Sequence, residues 1–130
     1  MQKGRISVTA AIIMEGRDIF VARRNMNQVR GGKWEFPGGK VEANEAPQDA
    51  LRRELREEFD SESEILSHAV TVQHQYPDIT ILLICYWARI EKIPEVLNAH
   101  SAAQWISPEK LFSLDLAAAD RKAAELLFRS

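Results

Sequence analysis

What this chain lacks bounds it before any motif is read. It has one cysteine in 130 residues, so no internal disulfide staples the fold. Cys85 lies in the apolar run ITILLICYWARI and is expected to be a buried thiol in a reducing compartment. Charge of one sign is scarcely in excess: 17 Lys and Arg against 19 Asp and Glu leave a net charge of −2. No global basic field gathers nucleic acid, so no stable nucleic-acid partner is expected. The N-terminal stretch MQKGRISVTAAIIMEG holds too short an apolar run for a membrane span and shows no clear cleavage site. No membrane association and a cytoplasmic location are therefore expected. Repeats, linkers and low-complexity tracts are missing too. A hydrophobic share of 45% and a charged share of 28% are ordinary for a globular protein, and the length suits one domain, residues 1–130, as a monomer or homodimer.

What is present alternates strand and helix signals. Ile6 to Met14 is apolar and β-branched and reads as a buried strand, with a turn at 15–18 and a second strand from Ile19 to Arg23. Residues 25–33 are polar with Gly31-Gly32 and read as a loop. A short strand, Trp34 to Phe36, enters the turn Pro37-Gly38-Gly39. Asn44 is expected to cap the following helix, with Pro47 in its first turn and Leu51, Leu55 and Phe59 as its core face. Ile65–Gln75 and Asp78–Ile90 read as long strands around Tyr76-Pro77, and Ser101–Ile106 as another. Ser107 and Pro108 start a short helix, and Asp120–Phe128 forms the last one. Strands mixed with about two major helices suggest an α+β fold, with a mixed β-sheet sandwiched between helices.

The chemistry concentrates in the run GKVEANEAPQDALRRELREE, Gly39 to Glu58. On a helix Glu54, Glu57 and Glu58 stand at i, i+3 and i+4, so three carboxylates share one face. Like charges at that spacing cost a few tenths of a kcal/mol, roughly, in an isolated helix. A cation reverses that sign, and Mg²⁺ takes carboxylate oxygens while keeping waters for phosphate substrates. The bland alternative is a solvated helix face with Arg53 paired to Glu57.

The same run resembles the Nudix box: Gly, five residues, Glu, seven residues, then Arg-Glu-hydrophobic-any-Glu-Glu-any-Gly-hydrophobic. Gly39, Glu45, Arg53, Glu54, Leu55, Glu57 and Glu58 fall on that pattern, with Asp60 and Ser61 replacing the closing glycine and hydrophobic residue. Beyond the box the chain is similar to MutT-type Nudix hydrolases. The resemblance implies an α/β/α sandwich and a metal-dependent pyrophosphohydrolase. It casts Glu54, Glu57 and Glu58, with the Gly38 carbonyl, as ligands of Mg²⁺ (Mn²⁺ as a substitute), and Glu54, Glu57 and Arg53 as the catalytic set. Glu54 is the first candidate for the group that orients or deprotonates water. Glu45 and Arg53 would hold the loop to the helix through an Arg–carboxylate fork, with Gly39 in the turn behind the ligands.

The resemblance also implies that Arg23, Phe36 and Asp120 bind the nucleoside of a small-molecule nucleotide. An aromatic ring gives a stacking face, and an ionised aspartate, which only accepts hydrogen bonds, favours a base bearing an amino group. The competing readings are a core Phe36 and an Asp120 that merely caps a helix. Relatives carry a glutamate six residues before a tryptophan and just before a histidine. Here Trp105 and His100 match, the glutamate position is Ala99, and Glu95 is a candidate substitute. Three functions follow as expectations: hydrolysis of an oxidised-purine or cytidine-type nucleoside triphosphate to monophosphate and pyrophosphate; hydrolysis of another nucleoside diphosphate derivative such as ADP-ribose or a dinucleoside polyphosphate; or nucleotide sensing with turnover lost.

Overall fold

The computed structural model describes residues 4–91 and 100–129; Glu95 and Ala99 lie outside them. The first strand, β1 (Arg5–Glu15), hairpins into β2 (Asp18–Arg24). Two short strands follow, β3 (Trp34–Glu35) and β4 (Gly38–Lys40), and then α1 (Pro47–Phe59). The chain continues through β5 (Ser63–Gln75), β6 (Thr80–Ile90), β7 (His100–Ile106), the one-turn α2 (Pro108–Leu111) and α3 (Ala118–Phe128). The strands join in the order β3-β2-β1-β6-β5, with β4 on β1 and β7 on β2. The sheet is mixed: β1 and β6 run parallel from Arg5↔Thr80 to Ile13↔Ala88, whereas β5 and β6 pair antiparallel.

The period-two alternation of a strand explains why the apolar run of β1 is continuous. Ala10 and Ile12 join a core cluster with Val21, Leu83, Cys85, Ala119, Ala123 and Ala124, on the α3 side. Ala11 and Ile13 join the other cluster, with Phe20, Leu51, Leu55 and Phe59, on the α1 side. A strand covered on both faces needs apolar residues at every position. Two helical layers around one mixed sheet make the expected α/β/α sandwich. Cys85 is buried in β6, as anticipated, and burial pushes its thiol above the ordinary value.

The caps differ from the sequence reading. Asn44 does not cap α1; it adopts a left-handed conformation (φ 63°) two residues before the N-cap position, which Ala46 fills. Pro47 starts the helix as expected, because its missing N–H leaves nothing to cap there. Ser107 stands at the N-cap of α2 but makes no side-chain cap hydrogen bond among the described residues. The last helix opens earlier than expected, at Ala118 with Ala117 as its N-cap, so Asp120 lies inside the first turn. At the other end of α1, Asp60 replaces a glycine in the left-handed region (φ 50°, ψ 40°). Its N–H donates to the Arg56 carbonyl at 3.0 Å. Asp60→Gly is expected to stabilise the fold by about 0.5–1 kcal/mol by relieving that conformation. Urea unfolding measures this, and a lower midpoint would show that aspartate is not strained there.

Candidate functional site

Arg53 organises the site. Its Nε donates to Glu45 Oε2 at 2.9 Å and its Nη2 to Glu45 Oε1 at 3.0 Å, a two-pronged fork. Nη2 also donates to the Lys40 carbonyl at 3.0 Å, which ties β4 to the helix. Nη1 reaches Glu54 Oε1 at 3.0 Å and Glu57 Oε2 at 3.3 Å. One planar cation thus grips the loop before α1, the strand that enters it, and two carboxylates of α1 itself. The fork holds the Glu45 carboxyl down at about 2, with help from the Glu42 N–H. The Glu45–Arg53 link expected from the resemblance is present.

Glycines let the turn before α1 press against its neighbours. A side chain on Gly38 would collide with the Thr9 carbonyl of β1, and one on Gly39 with the Glu54 carboxylate. That contact accounts for two adjacent glycines: one seats the backbone on β1, the other admits Glu54. Glu54 and Glu58 are mostly enclosed, with side chains 13% and 19% exposed. Burial, more than any other cause, pushes the Glu54 carboxyl up. Glu58 is pushed up to about 8 by burial, then by the charges of Glu54 and Glu35. Its Oε2 is buried with no hydrogen-bond partner among the described residues.

These groups line a cleft of about 470 Å³. Gly38, Gly39, Lys40, Glu54 and Glu58 form one side; Asp120, Ala119 and Ala117 form another; Arg24, Arg30, Glu35, Tyr76 and Asp78 complete the polar lining. The cleft therefore brings Glu54, Glu58, Gly38, Gly39 and Asp120 together, as the sequence suggested. Among the described lining residues, Arg23, Phe36 and Glu57 do not appear. Phe36 is 2% exposed and belongs to the α3-side core, so its ring offers no stacking face. Arg23 approaches Met26 Sδ at 3.8 Å instead. Strand alternation sends it and Arg24 to opposite faces, and it is Arg24 that meets the cleft. Glu57, 59% exposed, turns toward Arg53 at the rim.

Asp120 reaches the cleft by long-range pairing. Trp34 of β3 donates to the Asp115 carbonyl and accepts from the Ala117 N–H, each at 2.9 Å, which docks the start of α3 beside β3. Phe36 N–H then donates to Asp120 Oδ2 at 2.9 Å. Phe36 thus contributes its backbone rather than its ring. Burial, then the charge of Glu35, pushes the Asp120 carboxyl up to about 8. Burial thus favours the protonated form of this carboxyl, whose Oδ2 accepts from Phe36 N–H.

Sequence reasoning missed Glu35, Arg30 and Asp78. Glu35 could have been found, because it alternates with Trp34 and Phe36 on a strand whose aromatic neighbours point into the core. The Arg30 guanidinium lies 4.4 Å over the Tyr76 ring and pairs with Asp78 at 3.2 Å. No spacing in the chain signals that meeting.

Do the residues suit a divalent cation? Among the described residues no three His, Cys, Asp or Glu side chains converge as a ready cage. Arg53 draws Glu54 aside, and Glu57 sits at the rim. Yet burial raises the proton affinity of both enclosed carboxylates, a buried carboxylate oxygen is orphaned, and glycine backbone lies against one of them. That donor set fits a hard, oxygen-seeking ion.

The family model described as the NUDIX domain matches residues 8–126. The chain belongs to the NUDIX family. It is similar to the CTP pyrophosphohydrolase of Escherichia coli (strain K12), with 37% identity over 117 residues, 88% of this chain and 85% of that one. It is also similar to the 8-oxo-dGTP diphosphatase of Proteus vulgaris, 37% identical over 92 residues, 67% of this chain and 82% of that one. The crystal structure of the MutT protein from Methanosarcina mazei superposes with a TM-score of 0.89 at 25% identity, covering 99% of this chain and 96% of that one. The chain is thus a MutT-type Nudix hydrolase, and its Arg53-centred helix and glycine turn are the family's box in three dimensions. Among the described residues no helix is long and apolar enough to cross a membrane.

The carboxyls of Glu58 and Asp120 give the metal-free Nudix domain a signed pH dependence. Both are raised from the ordinary values of 4.5 and 3.8 to about 8. The folded state therefore binds more protons than the unfolded state across that window, and stability falls as pH rises from about 4 to about 8. Asp120→Asn keeps an acceptor for Phe36 N–H and removes the buried acid. Melting temperatures in EDTA should fall less steeply across that window for the variant than for the wild type. Parallel curves would mean that Asp120 ionises freely in the fold.

Proposed function

We propose that this Nudix domain hydrolyses nucleoside triphosphates of cytidine or oxidised-purine type to the nucleoside monophosphate and pyrophosphate. The observation that carries the reading is the single cleft in which the Glu54–Glu58 pair and the glycine turn face Asp120 and Glu35. One wall suits a metal-bound polyphosphate and the other suits a base. The names of the Escherichia coli and Proteus vulgaris relatives support the substrate class.

Glu54, Glu57 and Glu58, with the Gly38 carbonyl, would hold Mg²⁺ or Mn²⁺, which when bound neutralises phosphate oxygens and acidifies water. The chain's own groups do the rest. Arg53 keeps the carboxylates of Glu54 and Glu57 in register. Glu54, enclosed and pressed on Gly39, orients the attacking water or takes its proton. Arg24, Arg30 and Lys40 line the cleft and offer cations to the triphosphate. Asp120, held by Phe36 N–H, presents a donor and an acceptor to the base edge. Tyr76, whose hydroxyl accepts from Ala119 N–H at 3.1 Å, lines the cleft and would serve beside the base in place of Phe36. A cytoplasmic location, one domain and a monomer or homodimer complete the reading. The buried free thiol supports a reducing compartment.

The test is a nucleotide panel with and without Mg²⁺: ordinary and oxidised nucleoside triphosphates, ADP-ribose and a diadenosine polyphosphate. Monophosphate plus pyrophosphate, released only with metal, is the expected product pair. Binding without turnover would establish a sensor instead, and hydrolysis of ADP-ribose alone would move the domain to another subgroup. Glu58→Gln should lower kcat on the order of a hundredfold or more while leaving the fold intact. Near-full activity would remove Glu58 from the metal site. Asp120→Asn should alter the ranking of bases more than the best turnover; an unchanged ranking would reduce Asp120 to a structural tie.

A further inference from the structure

His100 is a buried polar group that the foregoing chemistry does not use. It opens β7 opposite Arg24, where the β2–β7 register shifts. Its side chain is fully enclosed, and its ring stacks on Phe59 of α1 with centroids 5.3 Å apart and planes 18° from parallel. The Nε2–H donates to Glu35 Oε2 at 2.9 Å. Arg24 Nη1 approaches the other oxygen of the same carboxylate at 3.4 Å. Glu35 lines the cleft together with Arg24, whereas His100 stands behind it. The second ring nitrogen, Nδ1, points back at the acidic helix. It lies 3.9 Å from Glu58 Oε2, and both atoms are buried without a hydrogen-bond partner among the described residues.

We propose that His100 is a positioning residue, orienting the Glu35 carboxylate in the nucleotide cleft and coupling it to α1 through Phe59 and Glu58. The constraint is rotational. A carboxylate gripped at one oxygen swings about its last torsion; gripped from behind at Oε2 and from the side at Oε1, it presents one fixed edge to the cleft. Because the same ring packs on Phe59 and faces Glu58, a movement of α1 on loading the polyphosphate side reaches Glu35 through one rigid plane. His100 touches neither base nor phosphate. Its effect belongs in discrimination between nucleotides more than in the reaction itself. The inference rests on the cleft being the nucleotide site.

Two measurements test it. In nitrogen-15-labelled protein without nucleotide, the His100 ring should show an exchange-protected N–H on Nε2; a ring without one overturns the link to Glu35. In kinetics, His100→Leu fills the space without a donor, and His100→Gln keeps a donor within reach of Glu35. The leucine variant should change the ratio of kcat/KM between the preferred nucleotide and its competitors by about threefold or more. The glutamine variant should restore most of that ratio. The leucine effect should also shrink in a Glu35→Gln background. Equal loss for every nucleotide, or full additivity with Glu35→Gln, overturns the proposal and leaves His100 a packing residue. If the leucine variant does not fold, the glutamine variant decides alone: it should keep the wild-type ratio, and a changed ratio counts against the proposal. Should the wild type hydrolyse no nucleotide in the panel, the proposed function fails, and the ring N–H still decides the Glu35 link.

Discussion

Everything in the site hangs on the guanidinium of Arg53. An acidic helix face of the Glu54, Glu57, Glu58 kind repels itself, and a loop rich in glycine has no reason to lie against it. Arg53 answers both problems with one group. Its fork on Glu45 and its bond to the Lys40 carbonyl fasten the turn to α1, and its remaining nitrogen neutralises Glu54 and Glu57. A lysine, with a single compact charge, could not make those contacts at once.

The rest of the architecture delivers a second set of groups to the same place. Packing on both faces of one mixed sheet puts α1 on one side and α3 on the other. The short strand β3 reaches both layers: alternation turns Glu35 toward the carboxylates, while its pairing partners carry Asp120 to the backbone of Phe36. The buried acids carry a stability cost. Glu58 and Asp120 are held where ionisation is disfavoured, and for Glu58 that disfavour is what a divalent ion would relieve.

How much of this was legible depended on distance along the chain. Gly39, Glu45 and Arg53 were readable through the resemblance to the Nudix box, and Glu54 and Glu58 also because a helix converts fixed spacing into a shared face. The α1 core stripe of Leu51, Leu55 and Phe59 followed from the same rule. Asp60 was readable as the residue that replaces the closing glycine of the box. Asn44 misled, because a good capping residue competes with a chain path that the Glu45–Arg53 fork settles instead. Phe36 misled because whether an aromatic ring faces the core or a ligand depends on which layer covers that strand face. The bonds from Glu35 to His100, 65 residues apart, and from Phe36 to Asp120, 84 apart, appear only once the sheet is assembled. The fold class and the box were thus open to local reading, while the base side of the cleft is a product of topology.

The central claim is that Glu54 and Glu58, as Arg53 arranges them, form a divalent-cation site that is protonated when empty. Titrating Mn²⁺ into the metal-free protein at pH 7, in buffers of different ionisation enthalpy, measures binding and proton release together. The account predicts saturable binding, competed by Mg²⁺, with protons released to the buffer because Glu58 holds one near neutral pH before the ion arrives. Binding without proton release, or no binding at all, would contradict it.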